Sequence, residues 1–194
     1  MKPCVLFIDG ENFLHKLEEV LKIQNTSEGR EGLALVDLTK LLKDPLKGLN
    51  VIRKIFYASK VRYNKETSKK SIELISFQRK LRNNLVKHGF EFIIAGNVRA
   101  QKIDGQIIFR EKGVDVKIAV DLVALACDRK LATAIICSSD SDLQPAVSEL
   151  KGRKVKTIYL GFEASPNKGL SYTTDRTILI RNHEVLEAVN LTNV

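Results

Sequence analysis

The chain has 194 residues, 44% of them hydrophobic, and its 32 lysines and arginines against 23 aspartates and glutamates give a net charge of +9 and a pI near 9.5. That size and apolar content suit one domain, residues 1–194, with a substantial core, and no apolar run approaches the ~20 residues of a membrane helix, so a soluble protein is expected. The basic excess favours a polyanionic partner, because each neutralised phosphate releases a condensed counterion, although charge alone does not separate nucleic acid from an anionic membrane.

Met1-Lys2-Pro3-Cys4 leads straight into an apolar run without the features of a secretory signal, so the expected compartment is the cytoplasm. A first strand over about Cys4–Ile8 precedes an amphipathic helix with Phe13, Leu14, Leu17, Val20 and Leu21 on one side. The polar stretch 25–32, with Gly29 and Gly32, reads as a loop, and a short helix near Asp37–Lys43 stops around Pro45 and Gly48. Val51–Ala58 is a second strand. The longest helix is expected from about Thr67 to Lys87, with Ile72, Ile75, Leu81 and Leu85 inward and Gly89 as its stop, followed by a third strand over Phe90–Ile94.

Residues 98–112 carry two β-prone arms around Asp104-Gly105, a local signal for a hairpin, with Arg99, Lys102, Arg110 and Lys112 along it; the local pattern suits a substrate-guiding arm and a solvated edge about equally. Val114–Cys127 follows as a helix apolar almost all round except for Asp115, Lys117 and Asp121, and such a helix is expected to be buried on most faces. A strand over Thr133–Cys137, a helix over Leu143–Leu150, a strand over Val155–Gly161, a loop around Pro166, Asn167 and Gly169, a short strand at Thr177–Ile180 and a helix near His183–Val189 complete the chain. This alternation marks a sheet flanked by helices. Cys4, Cys127 and Cys137 read as small buried hydrophobes in a reducing compartment, and neither they nor His15, His88 and His183 show zinc-ligand spacing.

Two acidic clusters stand directly after apolar runs: Asp9-Gly10-Glu11-Asn12 after Val5–Ile8, and Asp140-Ser141-Asp142 after Ala134–Cys137 and the two hydroxyls of Ser138 and Ser139. A carboxylate after a strand lies at the carboxyl edge of the sheet, where open α/β folds bind ligands, so both clusters are expected to share one crevice. Asp115 opens the apolar helix after Lys112-Gly113-Val114. Asp121, six residues on, lies about 120° around that helix and pairs with Lys117 at i,i+4, which suits a salt bridge or a supporting role. Each acid taken singly also suits helix capping. Capping does not explain three separate sheet-edge positions carrying acids together. Like charges so close repel unless a cation or a proton intervenes; a divalent metal is the simplest resolution, and hard oxygen donors suit Mg²⁺ or Mn²⁺. The chemistry expected of such a site is attack of metal-activated water on a phosphodiester, and the expected absence of a nearby histidine base suits it.

Phe7-Ile8-Asp9-Gly10-Glu11-Asn12, the Lys112-Gly113-Val114-Asp115-Val116 segment and Ser138-Ser139-Asp140-Ser141-Asp142, in this order, resemble the NYN domain family, which includes the LabA-like proteins and belongs to the PIN-like nuclease superfamily. The resemblance runs from the first strand to about Gly161. It implies a three-layer α/β/α sandwich with a mainly parallel central sheet, here with an inserted β-hairpin, and a metal-dependent ribonuclease site at the sheet's carboxyl edge. By position, Asp9, Asp115, Asp140 and Asp142 would be the catalytic, metal-binding acids, with Asn12, Asp121, Ser138 and Ser139 in support. Glu11 departs from the smaller or neutral residue that similar proteins often have there.

The expected partner is therefore RNA, hydrolysed at its phosphodiesters, more in the manner of an endonuclease. Arg99, Lys102, Arg110 and Lys112 on the hairpin are expected to flank the crevice, as are Lys60 and Arg62, followed by Lys65, Lys69 and Lys70, after the second strand. The alternative from another class is an RNA-binding or protein-interaction module of the same fold with little or no catalysis. A haloacid-dehalogenase-like phosphatase would need a second aspartate where Glu11 stands, and no P-loop sequence occurs.

Overall fold

The computed structural model describes residues 3–23, 30–103 and 106–190, and for residues 23, 30, 31, 99–103, 106–110 and 190 the backbone alone. In chain order the elements are β1 (Cys4–Asp9), α1 (Gly10–Ile23), α2 (Arg30–Leu33), α3 (Leu38–Leu41), β2 (Val51–Lys60), α4 (Ser68–Lys87), β3 (Glu91–Ile103), β4 (Gln106–Lys112), α5 (Val114–Cys127), β5 (Thr133–Cys137), α6 (Gln144–Gly152), β6 (Lys156–Phe162), α7 (Lys168–Thr173), β7 (Arg176–Ile180) and α8 (Asn182–Asn190). The seven strands form one sheet in the order β4-β3-β2-β1-β5-β6-β7, parallel throughout except for β3 against β4. No described helix is long and apolar enough to cross a membrane.

Two cores follow from the side-to-side alternation of strand residues. Leu6 and Ile8 of β1 pack on one face with Phe13, Leu17 and Leu21 of α1, Leu81 and Leu85 of α4, and Val185 and Val189 of α8. Val5 and Phe7 turn to the other face, against Ile118 and Leu122 of α5, Val147 and Leu150 of α6, and Leu170 of α7. A sheet between two helix layers is a three-layer α/β/α sandwich, and the buried pattern of β1, with all six residues inside, is what a central strand covered on both faces requires.

Several local expectations change. Ile72 and Ile75 of α4 are exposed at 59% and 39%, while Ser71 is fully buried. At 3.6 residues per turn Ile72 lies about 180° around the helix from Leu81, so the four apolar residues cannot share one face. α5 is likewise buried on one side only. Val114, Ile118, Leu122 and Ala126 face the sheet at i,i+4 spacing, whereas Val116 and Val120 are 59% and 55% exposed. Cys127 is exposed; Cys4 and Cys137 are buried.

Gly32, expected in a loop, lies in the short α2, while residues 25–29 of that loop lie outside the described residues. The stretch around Asn167 folds as α7 because the Asn167 side chain accepts from the Leu170 N–H at 2.8 Å and caps it.

The third strand runs on without a break into the hairpin. β2 pairs with β3 as far as Lys60 opposite Asn97, and β4 then pairs with β3 from Asn97–Lys112 to Ile103–Gln106. The hairpin therefore extends past the carboxyl edge of the main sheet by about six residues, roughly 20 Å. Asp104-Gly105 lies outside the described residues.

Candidate metal and nuclease site

Strand order reverses direction between β1 and β5: the chain winds outward through β2 and β3 on one side and through β6 and β7 on the other. The carboxyl ends of β1 and β5, paired at Ile8–Cys137, form the crevice that such a reversal opens. Asp9 is the last residue of β1. The chain must then enter α1 at once, and Gly10 permits it, since a Cβ there would run into the Phe56 ring and the Tyr57 carbonyl of β2.

Asp9 is 3% exposed, and its carboxylate is held from both sides. The Asn12 Nδ2 donates to Oδ2 at 2.6 Å and the Asn12 N–H to Oδ1 at 3.4 Å, while the Ser138 hydroxyl, just past β5, donates to Oδ2 at 3.0 Å. Burial nevertheless raises the Asp9 carboxyl above its ordinary range; those hydrogen bonds work against the rise, and the charge of Asp140 adds to it. Burial thus leads, and the repulsion from Asp140 is the smallest of these influences, the reverse of what clustering by itself suggests.

The Ser138 hydroxyl also accepts the Asp140 N–H at 3.0 Å, and Asp140 in turn accepts the Asp142 N–H at 2.9 Å, capping the 3₁₀ turn Ser141–Leu143. One serine thus ties the two acidic strand ends together. Ser139 is fixed through its carbonyl, which accepts from the Asn167 Nδ2 at 2.8 Å.

From the far side, β4 delivers Glu111 and Lys112. Gly113, at φ 95°, takes the left-handed turn that starts α5 and puts Asp115 in its first turn. The result is a cleft of about 370 Å³ lined by Asp9, Glu11, Asn12, His15, Glu111, Lys112, Gly113, Asp115 and Asp140. Three of the four acids expected as ligands line it. Asp142 does not: it is exposed, its N–H turned to Asp140.

Asp121 is also outside the lining. It receives Lys117 Nζ at 2.6 Å and the Tyr57 hydroxyl at 3.0 Å, an arrangement that ties α5 to β2. Of the expected RNA-contacting cations, Lys112 is exposed on the cleft, and Lys60 and Arg62 are exposed where β2 reaches the same edge. The side chains of Arg99, Lys102 and Arg110 lie outside what the structure describes, although their backbones pair within the hairpin.

Two residues of the cleft escaped the sequence reading. Glu111 sits part-buried on β4, accepts the Ser59 hydroxyl at 2.8 Å, and has its carboxyl pushed up to about 7, first by burial and then by the charges of Asp9, Glu11 and Asp115. The signal lay in its place directly before Lys112-Gly113, overshadowed by the basic residues around it. His15 also lines the cleft, one helical turn after Glu11, so the expectation of a site with no histidine nearby does not hold.

Among the described residues no three His, Cys, Asp or Glu side chains stand close enough together to hold one ion. The donor chemistry nonetheless fits a hard divalent cation. Asp9, Glu111, Asp115 and Asp140 offer carboxylate oxygens around one cleft, without thiolates, and the desolvated Asp9 and Glu111 are acids that a nearby cation would return to their charged forms.

A mainly parallel seven-stranded sheet between two helix layers is the architecture of PIN-like α/β/α folds. The family model for the NYN domain matches residues 3–181, nearly the whole chain, and the protein belongs to the NYN domain family, within the PIN-like superfamily. Members of this family are in general nucleases that act on RNA, and PIN-like nuclease domains typically use divalent metals. A solved structure of a protein of unknown function from Vibrio parahaemolyticus RIMD 2210633 is similar in fold: TM-score 0.59, 19% identity, covering 92% of this chain and 93% of that one. No curated protein matches the chain.

Proposed function

We propose that the protein is a Mg²⁺- or Mn²⁺-dependent ribonuclease, more in the manner of an endonuclease, whose site is the cleft between Asp9, Asp115 and Asp140. The observation that carries this reading is convergence: β1, the turn after β5 and the start of α5, far apart in sequence, bring those three acids to one cleft at the switch point. Helix capping accounts for each acid alone and not for their meeting. Asp9, Asp115 and Asp140 would hold the ion, with Glu111 beside them; when bound, the ion makes a water more acidic and stabilises charge developing on the cleaved phosphate.

The remaining residues have roles that follow from their contacts. Asn12 and Ser138 fix both oxygens of Asp9, so its carboxylate does not have to reorganise when charge arrives. Asn167 pins Ser139, and through it the turn that carries Asp140. Asp142, exposed and outside the lining, contributes the N–H that the Asp140 carboxylate accepts. Lys112 supplies positive charge at the cleft itself, and Lys60, Arg62 and the hairpin with Arg99, Lys102 and Arg110 extend that charge along the path of a phosphodiester backbone. Glu111, its carboxyl pushed up to about 7 chiefly by burial, is the cleft group suited to holding a proton as the reaction proceeds, and His15 lines the same cleft.

A second reading, an RNA-binding or protein-interaction module with little catalysis, draws on the absence of three closely packed ligands among the described residues. One assay separates the two. Labelled single-stranded RNA should be cut in Mn²⁺, left intact with excess chelator, and left intact by Asp9→Asn and by Asp140→Asn, each losing at least about 100-fold in rate. Metal-independent cutting, or full activity in both variants, overturns the ribonuclease site; no cutting with retained RNA binding favours the module.

A further inference from the structure

The opposite edge of the sheet carries a second cleft, of about 630 Å³, larger than the acidic one. It is lined by Lys151, Lys154, Lys156 and Arg176, with Thr157 and Asp175 among its other residues. Lys156 begins β6 and Arg176 begins β7, so the cleft lies at the amino edge, separated from the acidic site by the length of strands of five to seven residues, roughly 16–23 Å.

Its charge is not balanced locally. The acids near it are already engaged: Asp175 with Lys151 at 3.5 Å and with the Thr157 N–H and hydroxyl, Glu149 with Arg153, and Asp128 with Lys130. Lys154, Lys156 and Arg176 are exposed and make no ion pair among the described residues. The carboxyl ends of α5 and α6 point to this edge, but a helix terminus carries only about half a negative charge, so two of them offset about one cation. An excess of about two positive charges remains.

The backbone supplies an independent observation. Among the described residues the only non-glycine positions with positive φ are Arg129, at 58°, and Lys154, at 62°. They occupy equivalent turns, after α5 and after α6, at this same edge. Glycine is the least strained residue there, and both turns present a cation instead.

We propose that this amino-edge cleft binds the sugar–phosphate backbone of an RNA strand at a point remote from the acidic cleft, an exosite that holds long RNA on the protein. Phosphate fits because the cations outnumber the acids, because lysine ammonium groups bind phosphate as point charges, and because the chain as a whole carries nine excess positive charges. The inference rests on RNA as the partner and not on cleavage.

The test measures binding of a single-stranded RNA of about 30 nucleotides, long enough for both clefts, by fluorescence anisotropy in EDTA over a range of salt. EDTA keeps cleavage out of the readout, so a protein that never cuts RNA still passes or fails. In the Lys154→Gln/Lys156→Gln/Arg176→Gln variant the slope of log K against log salt should fall by about two, three contacts at roughly 0.7 each for a single strand, with at least tenfold weaker binding at low salt and unchanged thermal stability. Each single substitution should remove about one third of the slope change, which keeps the test usable if the triple variant folds poorly. An unchanged slope overturns the proposal. So does tighter binding of polyglutamate than of RNA to the wild-type protein, lost in the same variant, which would mark a surface for an acidic protein.

Discussion

Glu111→Gln is the most informative single substitution for the electrostatics of the acidic cleft. A glutamate ordinarily near 4.5 and here about 7 means that between those pH values the native state keeps a proton that the unfolded chain has lost. Stability therefore falls as pH rises through that window, and the loss is complete above about 7. An interval of about 2.5 pH units at about 1.36 kcal/mol per unit sets a ceiling near 3 kcal/mol, and partial solvent access reduces it to about 2 kcal/mol. Glutamine keeps the shape and can still accept the Ser59 hydroxyl, but it never carries the charge. In EDTA at pH 8.5 the variant should melt about 4–8 °C above wild type, taking 2–4 °C per kcal/mol for a chain of this size, and at pH 4.5 the two should coincide. The assay is thermal unfolding of both proteins at the two pH values. The same difference at both, or destabilisation at pH 8.5, would show that Glu111 is not held protonated by its surroundings.

Metal should act on the same balance. Millimolar Mn²⁺ or Mg²⁺ should raise the melting temperature of wild type, by about 2.7 kcal/mol of native-state stabilisation at 100 times the Kd, and far less in Asp9→Asn; no shift in wild type counts against the site. Because ligands must lose their protons to bind, metal affinity measured by calorimetry should rise between pH 6 and 8, with Glu111→Gln flattening that rise. Arg110→Gln with Lys112→Gln should lower the salt slope of RNA binding by about one to two with little change in sequence preference, whereas an unchanged slope would reassign the hairpin to a solvated edge or a protein interface. Gly10→Ala should destabilise the fold by about 1–3 kcal/mol, since its methyl has to displace the Phe56 ring and the Tyr57 carbonyl; a neutral result in chemical denaturation would show that α1 can shift away from β2.

Order and type of the main elements were readable because apolar runs of strand length alternate with helical patterns, and because Asp9 and the Ser138–Asp142 turn follow such runs directly. What escaped depends on how elements meet. Four apolar residues in α4 suggested one buried face, and helical phase puts Ile72 opposite Leu81. Composition made α5 look enclosed, yet the sheet covers only the Val114–Ile118–Leu122–Ala126 stripe. Lysine and arginine dominated the reading of the hairpin, so Glu111, drawn into the acidic cleft by the close approach of β4 to Ser59, went unnoticed. His15 reaches the cleft because α1 begins at Gly10 with no intervening loop. Asp142 shows the converse: two acids at i,i+2 suggested joint ligation, and in the 3₁₀ turn the second donates its N–H to the first and faces outward.

The central claim is that Asp9, Asp115 and Asp140 share a divalent ion in the cleft at the switch point. A crystal of the wild-type protein soaked in Mn²⁺, with data collected where manganese scatters anomalously, tests it without reference to any substrate. The account predicts an anomalous peak in the cleft within about 2.0–2.4 Å of oxygens from at least two of these carboxylates, absent from an Asp9→Asn crystal treated in the same way. A cleft without a peak in Mn²⁺-saturated crystals, or a peak that persists unchanged in Asp9→Asn, would contradict it.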